Sequence, residues 1–527
     1  MAIPAAVSVA FGGIAATYLF LRFLLQFTQD AREPPAILTS IPFLQPLAGM
    51  IGEKERFYIR LRDQYKLPIY TLRLPFTRIY IVNDTALIPA LQKQWRTVSF
   101  ASLAADAGST VGMTQEAVDL MHKDLTKDEG FSTSWPKYVM PSMAPGSDLD
   151  NMNRTAIQIF AGETEKLRAG GNTKTVGLRE WSRAIMVTSS TEAVWGPQNP
   201  YKDPVVADAW KTFESGFLTI AMFPMASLFF PAVFRAREVV AAALIKYMRD
   251  GGHEQASGLV HKRHEHHRGM FGLSLEDFAR GELGNTFAVL GNTTPCAMWV
   301  LFHIFGDETV LSDIRQEVSA LVEEGYENDT PVSTIDLAKI KTQCPILMST
   351  FQEVLRYRAI NPGPRKLLED VTLDGRILLK KDSMLMIPAP VQHTDTTAWG
   401  DDAREFDHLR FVRQPGPGKK RPNRTAFRAF GGGHVLCPGR HFASTEIMAL
   451  SALLALQFNI RPVHGKWDEP TWVNSPGQAG FPVIDNDIMI ELEPIGPERK
   501  WHIQFSRSDE AIGIVAEDVE TGGRGAI

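Results

Sequence analysis

A mainly α-helical fold with small β-sheets is what the sequence predicts, and three observations lead there. Apolar residues recur at helical spacing over long stretches, and the strand-like pieces are few and short. Neither a repeat nor a low-complexity linker interrupts the chain from Arg56 to about Trp501. A chain of 527 residues can bury a large core without disulfides. Length alone would suggest about three domains of ordinary size, but the uninterrupted body reads as one large helical domain. The composition is 44% hydrophobic and 22% charged, with a net charge of −5. That balance carries no basic excess, so nucleic acid is not an expected partner. The three thiols, Cys296, Cys344 and Cys437, form no CxxC and no close pair. A disulfide framework and a four-cysteine zinc site are thereby excluded, and a reducing compartment fits. Phe contributes 30 residues against 10 Tyr and 10 Trp, and a ring without a polar handle suits a dry interior.

From the N-terminus, the first 21 residues carry no charged side chain. As a helix they would span roughly 31 Å, about the hydrocarbon thickness of a bilayer. Arg22, Arg32, Lys54 and Arg56 all follow the apolar run, the reverse of a cleaved signal peptide. Positive charge on that side places the rest of the chain in the cytosol. The expectation is an uncleaved single-span anchor over residues 1–27. Pro34, Pro35, Pro42 and Pro46 then make 28–55 a stiff connector. With a cytosolic body the sequons at Asn83, Asn153, Asn292, Asn328 and Asn423 stay unmodified. Strands are expected at 69–74, 79–82, 371–379 and 488–492, and helices over 275–305, 308–324, 335–357 and 440–458. The body runs over 56–505, and a loose tail follows over 506–527.

The sharpest local feature is Phe430-Gly431-Gly432-Gly433-His434-Val435-Leu436-Cys437-Pro438-Gly439-Arg440, leading into an apolar helix. The glycines allow tight backbone and close approach of a flat ligand. Cys437 stands at a helix entrance, where free N–H groups and the helix dipole stabilise a thiolate. A thiolate presented this way can be a nucleophile, a zinc ligand or an iron ligand; a plain buried cysteine is the bland alternative. Zinc lacks companions, because no second Cys or close His completes a tetrahedron.

Phe430, Gly433, Cys437 and Gly439 match the Phe-x-x-Gly-x-x-x-Cys-x-Gly signature, and the chain resembles the cytochrome P-450 family of haem-thiolate enzymes. The resemblance implies the fold of that family, a large helical domain around a buried haem (haem b, iron), with Cys437 as axial iron ligand. The family usually has Arg or His two residues before the cysteine to hold a haem propionate. Here Val435 stands there, so another cation takes that charge. Arg365, nine residues past Arg356, matches a position from which the family reaches a propionate, and Arg440 is a second candidate. Glu353 and Arg356 resemble the family's Glu-x-x-Arg pair, whose spacing puts both on one helix face. Arg410, in Glu405-Phe406-Asp407-His408-Leu409-Arg410-Phe411, would be the third member of that buried network.

Gly291-Asn292-Thr293-Thr294-Pro295 lies within the helical stretch 275–305. Family members usually have an acid and then Thr here, relaying protons for cleavage of the O–O bond. The resemblance therefore assigns Thr293, Asn292 and Thr294 to proton and water handling, although Asn cannot act as an acid. The bland alternative is that both threonines back-bond within a helix bent by Pro295. Asn-Thr-x-Pro followed by Trp299 is similar to the branch holding steroid and bile-acid hydroxylases and prostacyclin synthase. The segments Ile41-Pro42-Phe43-Leu44 and Phe223-Pro224-Met225-Ala226-Ser227-Leu228 lean the same way. The general look is similar to fungal secondary-metabolism members.

These resemblances imply a membrane-anchored monooxygenase of the endoplasmic reticulum. It would use electrons from a separate NADPH-cytochrome reductase, because the chain has no flavin or nicotinamide fingerprint. The substrate would be a lipophilic, terpenoid or sterol-like small molecule, touched by the Phe223 region, residues 288–293 and the loop 476–481. One alternative is a reductase-independent isomerase or dehydratase acting on a peroxide, and another is a non-catalytic haem-binding protein. The apolar stretch 222–234 is core or a second membrane contact. The run 261–268, with His261, His264, His266 and His267, lacks metal spacing and reads as a polar connector. Gly416 to Lys420 reads as a surface turn, and Lys419, Lys420, Arg421 and Arg424 as a basic rim suited to an acidic electron donor.

Overall fold

Tyr80 and Val82 pack with Leu91, Leu367 and Leu385, while their neighbours Ile79 and Ile81 pack with Phe57, Tyr58 and Leu61. This alternation of period two is why the strand Thr77–Val82 can carry a core on each face. In the computed structural model it pairs antiparallel with Ile69–Leu74 through a Pro75–Phe76 turn. The structure describes residues 2–222, 225–412, 423–477, 479–496, 499–507, 513–515 and 518. They fall into two compact units, 1–103 with 360–403 and 423–435, and 104–359 with 404–422 and 436–527.

The first unit holds a five-stranded sheet in the order Ile69–Leu74, Thr77–Val82, Met384–Met386, Pro364–Leu367, Val98–Ser99. The expected strand 371–379 is instead a hairpin of Val371–Leu373 and Ile377–Leu379. Asp374 and Gly375 turn it with φ of 48° and 68°, the left-handed conformation that an Asp-Gly pair supplies. The Pro-rich connector is tied to the sheet rather than running past it. Ala36 bridges to Thr71, the Thr71 hydroxyl donates to the Pro34 carbonyl, and the buried Glu33 accepts from Tyr80 at 2.7 Å and from Arg78 at 2.6 Å. Ahead of it the helix Ala2–Phe27 exposes Phe11, Ile14, Leu19, Phe20, Phe23 and Phe27. Its 26 residues extend about 39 Å.

The second unit is helical around a core that includes Trp195, Trp210, Phe213, Phe278 and Leu283. The expected single helix 275–305 is two helices, Leu275–Leu290 and Thr293–Phe305, separated at Gly291 and Asn292. Pro295 explains the break, since it has no N–H to return to the Gly291 carbonyl. This stretch is long and apolar enough to cross a membrane, but 67% of its apolar window is buried, which makes it a core element. The expected helix 308–324 stops at Ser319. Val322–Glu327 turns back through Asn328 and Asp329, both at positive φ, to pair with Thr330–Asp336. Most of the expected helix 335–357 starts at Pro345, a first-turn proline, and runs to Arg358. The cysteine-led helix is Arg440–Gln457, and Phe458 begins a strand that pairs with Met489–Pro494. Phe223, Pro224, the segment from Gly416 to Arg421, and residues 519–527 of the tail lie outside the described residues.

Candidate active site

In the second unit, Cys437 precedes the helix Arg440–Gln457, with Gly439 at its N-cap. The sulfur accepts hydrogen bonds from the Gly439 and Arg440 amides. Burial is the largest influence and leaves the thiol raised, while those two amides and the Arg440 charge work against it in favour of the thiolate. Cys296 and Cys344 have no such help: burial raises both, Cys344 to about 12. Donor geometry thus separates one thiol from the other two. The Arg440 guanidinium is engaged, donating to Asp518 at 2.6 Å and 2.9 Å and to the Cys437 carbonyl at 3.1 Å.

In the first unit, a cleft partly open to solvent is lined by Trp95, Asn361, Arg365, Arg428, His434 and Val435 among others. Arg365 is half-buried, donates to the Pro364 carbonyl, and lies 5.6 Å from the Phe100 ring centre. Burial and the like charge of Arg428 hold its pKa down to about 10. Two cations that disfavour each other in a cleft make a setting that an anionic group would relieve. The glycines keep this wall thin. A Cβ at Gly432 would stand 2.2 Å from Arg428 Nη1, and one at Gly433, where φ is +60°, 2.9 Å from Gln92. His434 stacks on Trp95 at 4.6 Å. Phe430 is half-buried on the same segment. Arg428 is absent from the sequence expectations, which named Arg365 and Arg440 as the cations that stand in for Val435. It is held by its own backbone, whose N–H donates to His393 Nε2 at 2.8 Å.

Glu353, Arg356 and Arg410 lie in the second unit with relative exposures of 0%, 2% and 7%. Arg356 donates to both Glu353 oxygens, at 2.7 Å and 2.6 Å, and Arg410 Nε reaches them at 3.1 Å and 3.2 Å. Both arginines also donate to the Glu405 carbonyl, and the Asp407 amide adds a bond to Glu353 at 3.0 Å. Burying these charges is tolerable because their hydrogen-bonding capacity is so fully used.

At the break in the central helix, the Thr293 and Thr294 hydroxyls donate to the Val289 and Leu290 carbonyls, at 2.6 Å and 3.1 Å. Their oxygens keep lone pairs that can accept from water. Asn292 Oδ1 accepts from the Gly480 amide at 3.1 Å. Further along the same helix, Trp299 Nε1 donates to the Pro482 carbonyl, and Arg358 lies 3.9 Å from the Trp299 ring centre while donating to His303 and Glu469. Sequence reading missed Arg358, because its partners come from distant segments.

The family model for Cytochrome P450 matches residues 259–481, from before the central helix to beyond the cysteine loop. Cytochrome P450 monooxygenase nodJ of Hypoxylon pulicicidum is 32% identical over 498 residues, 92% of this chain and 95% of that protein. This chain belongs to the cytochrome P450 family. As a cytochrome P450 monooxygenase it is an oxidoreductase with a haem iron cofactor. Prostacyclin synthase of Bos taurus is 23% identical, over 92% of this chain and 98% of that protein, in keeping with the branch read from the Asn292 segment. The structure of retinoic acid bound cyanobacterial CYP120A1 covers 89% of this P450 and 100% of that chain, with a TM-score of 0.66 and 19% identity, and shares its fold. The residues present fit haem. A sulfur with two amide donors suits an iron ligand, and paired arginines along a glycine wall suit a flat group with an acidic edge.

Proposed function

We propose that this P450 oxidises a lipophilic substrate of terpenoid or sterol-like character, in fungal-type secondary metabolism, with electrons from a separate NADPH-cytochrome reductase. The observation that carries the reading is the Cys437 sulfur receiving the Gly439 and Arg440 amides at a helix entrance. Those two bonds favour the thiolate form that binds iron. Haem held through a thiolate supplies reductive activation of dioxygen. Cys437 would hold the haem iron through its sulfur, with Phe430, Gly433 and Gly439 shaping the loop that presents it. Arg365 and Arg428 hold the acidic edge; Arg440, paired with Asp518, steadies the Cys437 carbonyl instead. Thr293 and Thr294 hold water through their free lone pairs, and the broken turn beside them gives that water a carbonyl. Glu353, Arg356 and Arg410 brace the fold beneath.

Residues 1–27 act as a single anchor in the endoplasmic reticulum membrane, with 28–55 as connector, 56–505 as the cytosolic catalytic body and 506–527 as a tail. The exposed apolar face of Ala2–Phe27 supports the anchor. Met225, Leu228 and Phe229, all exposed, suit a further lipid contact. The likeness to prostacyclin synthase favours one other reading, a peroxide isomerase that needs no reductase. Co-expression with a reductase and a panel of terpenoids and sterols separates the two. Oxygenated products that require NADPH and reductase support the monooxygenase, and turnover of a lipid peroxide without either overturns it.

A further inference from the structure

Asn292 occupies the N-cap position of the helix Thr293–Phe305, yet its side chain caps nothing in that helix. An Asn at this position normally accepts from the second or third helical amide. Here the third helical residue is Pro295, which has no amide hydrogen, and Asn292 itself has helical dihedrals of −108° and −31°. Its oxygen accepts instead from the amide of Gly480, far away in sequence, at 3.1 Å. Gly480 is shaped to the contact, because a Cβ there would stand 2.3 Å from that same oxygen.

The rest of the loop is secured at its base. Asp485 accepts from the Thr471 hydroxyl and the Val473 and Asn474 amides, and Ser475 Oγ accepts from the Val483 amide. Trp299 takes the Pro482 carbonyl at 2.8 Å. Ahead of these lies Gly480, where the Asn292 bond ties the chain to the broken turn beside Thr293 and Thr294.

We propose that Asn292 is a positioning residue that latches Gly480 and the chain around it, 479–482, to the break in the central helix, so that it governs which bulky lipophilic ligands the site accepts. The proposal rests on the haem-thiolate reading only for its ligand test. Asn292 then works as an acceptor, a task for which a carboxylate would serve equally and an apolar side chain would not.

The test uses the full-length holoenzyme with Asn292→Leu, Asn292→Asp and Gly480→Ala. Amide hydrogen exchange is followed in peptides covering 479–482, and optical titrations use clotrimazole, a bulky lipophilic azole, beside bare imidazole. Asn292→Leu and Gly480→Ala are expected to speed exchange at residue 480 and weaken clotrimazole by about three- to tenfold, the worth of one ordinary hydrogen bond. Imidazole, too small to reach the loop, stays at its native affinity, and Asn292→Asp stays within about twofold of native on every readout. Native exchange in Asn292→Leu overturns the latch, and so does equal weakening of clotrimazole and imidazole. A failure of the haem-thiolate reading looks different: the unmodified protein gives no azole spectrum, while the exchange comparison still reports on the latch.

Discussion

Burial pushes the Glu446 carboxyl up to about 8 from an ordinary 4.5, even though the Ser189 and Ser190 hydroxyls donate to it and pull the other way. The folded chain therefore holds a proton that the unfolded chain has released between those values. Stability from this group is present below about pH 4.5 and is lost as pH rises toward about 8. Urea midpoints at about pH 5 and about pH 8 should fall less in Glu446→Gln than in the native protein; an equal fall in both contradicts the assignment. Single residues also show what sequence can reveal. Cys437 is legible because its chemistry is set by neighbours in the chain, the glycines before it and the helix entrance after it. Glu353 and Arg356 are legible because three residues separate them on one helix. Arg428 and Arg358 are not, because each gains its meaning from partners tens of residues away or more, on other segments.

At the scale of elements, the boundaries missed from sequence are places where a local turn signal competes with apolar periodicity. Asp374-Gly375 and Asn328-Asp329 each fold a run back on itself, at positions where periodicity alone suggests continuation. Phe458 is apolar enough to extend the helix Arg440–Gln457, but pairing with Met489–Pro494 makes it a strand. Pro295 is the reverse case: the expected bend is there, and it is deep enough to divide the stretch into separate helices. The helix Pro345–Arg358 is joined through Glu353 to the segment holding Glu405, Asp407 and Arg410, so that element should be unusually sensitive to one charge. Arg410→Leu leaves Glu353 with a poorer set of donors and should cost about 3–5 kcal/mol in urea unfolding. A loss within about 0.5 kcal/mol, the scale of an ordinary surface change, contradicts that account.

Over the whole molecule, the helical class and small sheets follow from composition and periodicity, while the family follows from motifs in a consistent order along the chain. Length alone suggests about three domains and the missing linker signal suggests one body, whereas the described residues fall into two compact units. The exposed Phe-rich face between Phe11 and Phe27 is the part of the chain expected to leave water. Deleting residues 2–27 should move the protein from the membrane pellet to the soluble fraction with its haem spectrum unchanged; retention of the shortened protein in the pellet would place the main membrane contact elsewhere. The central claim is ligation of haem iron by the Cys437 thiolate, and the carbon-monoxide difference spectrum of the reduced protein tests it most directly. The native protein should show a strongly red-shifted Soret band that Cys437→Ser abolishes. Absence of the band, or its survival unchanged in the serine variant, would contradict the assignment.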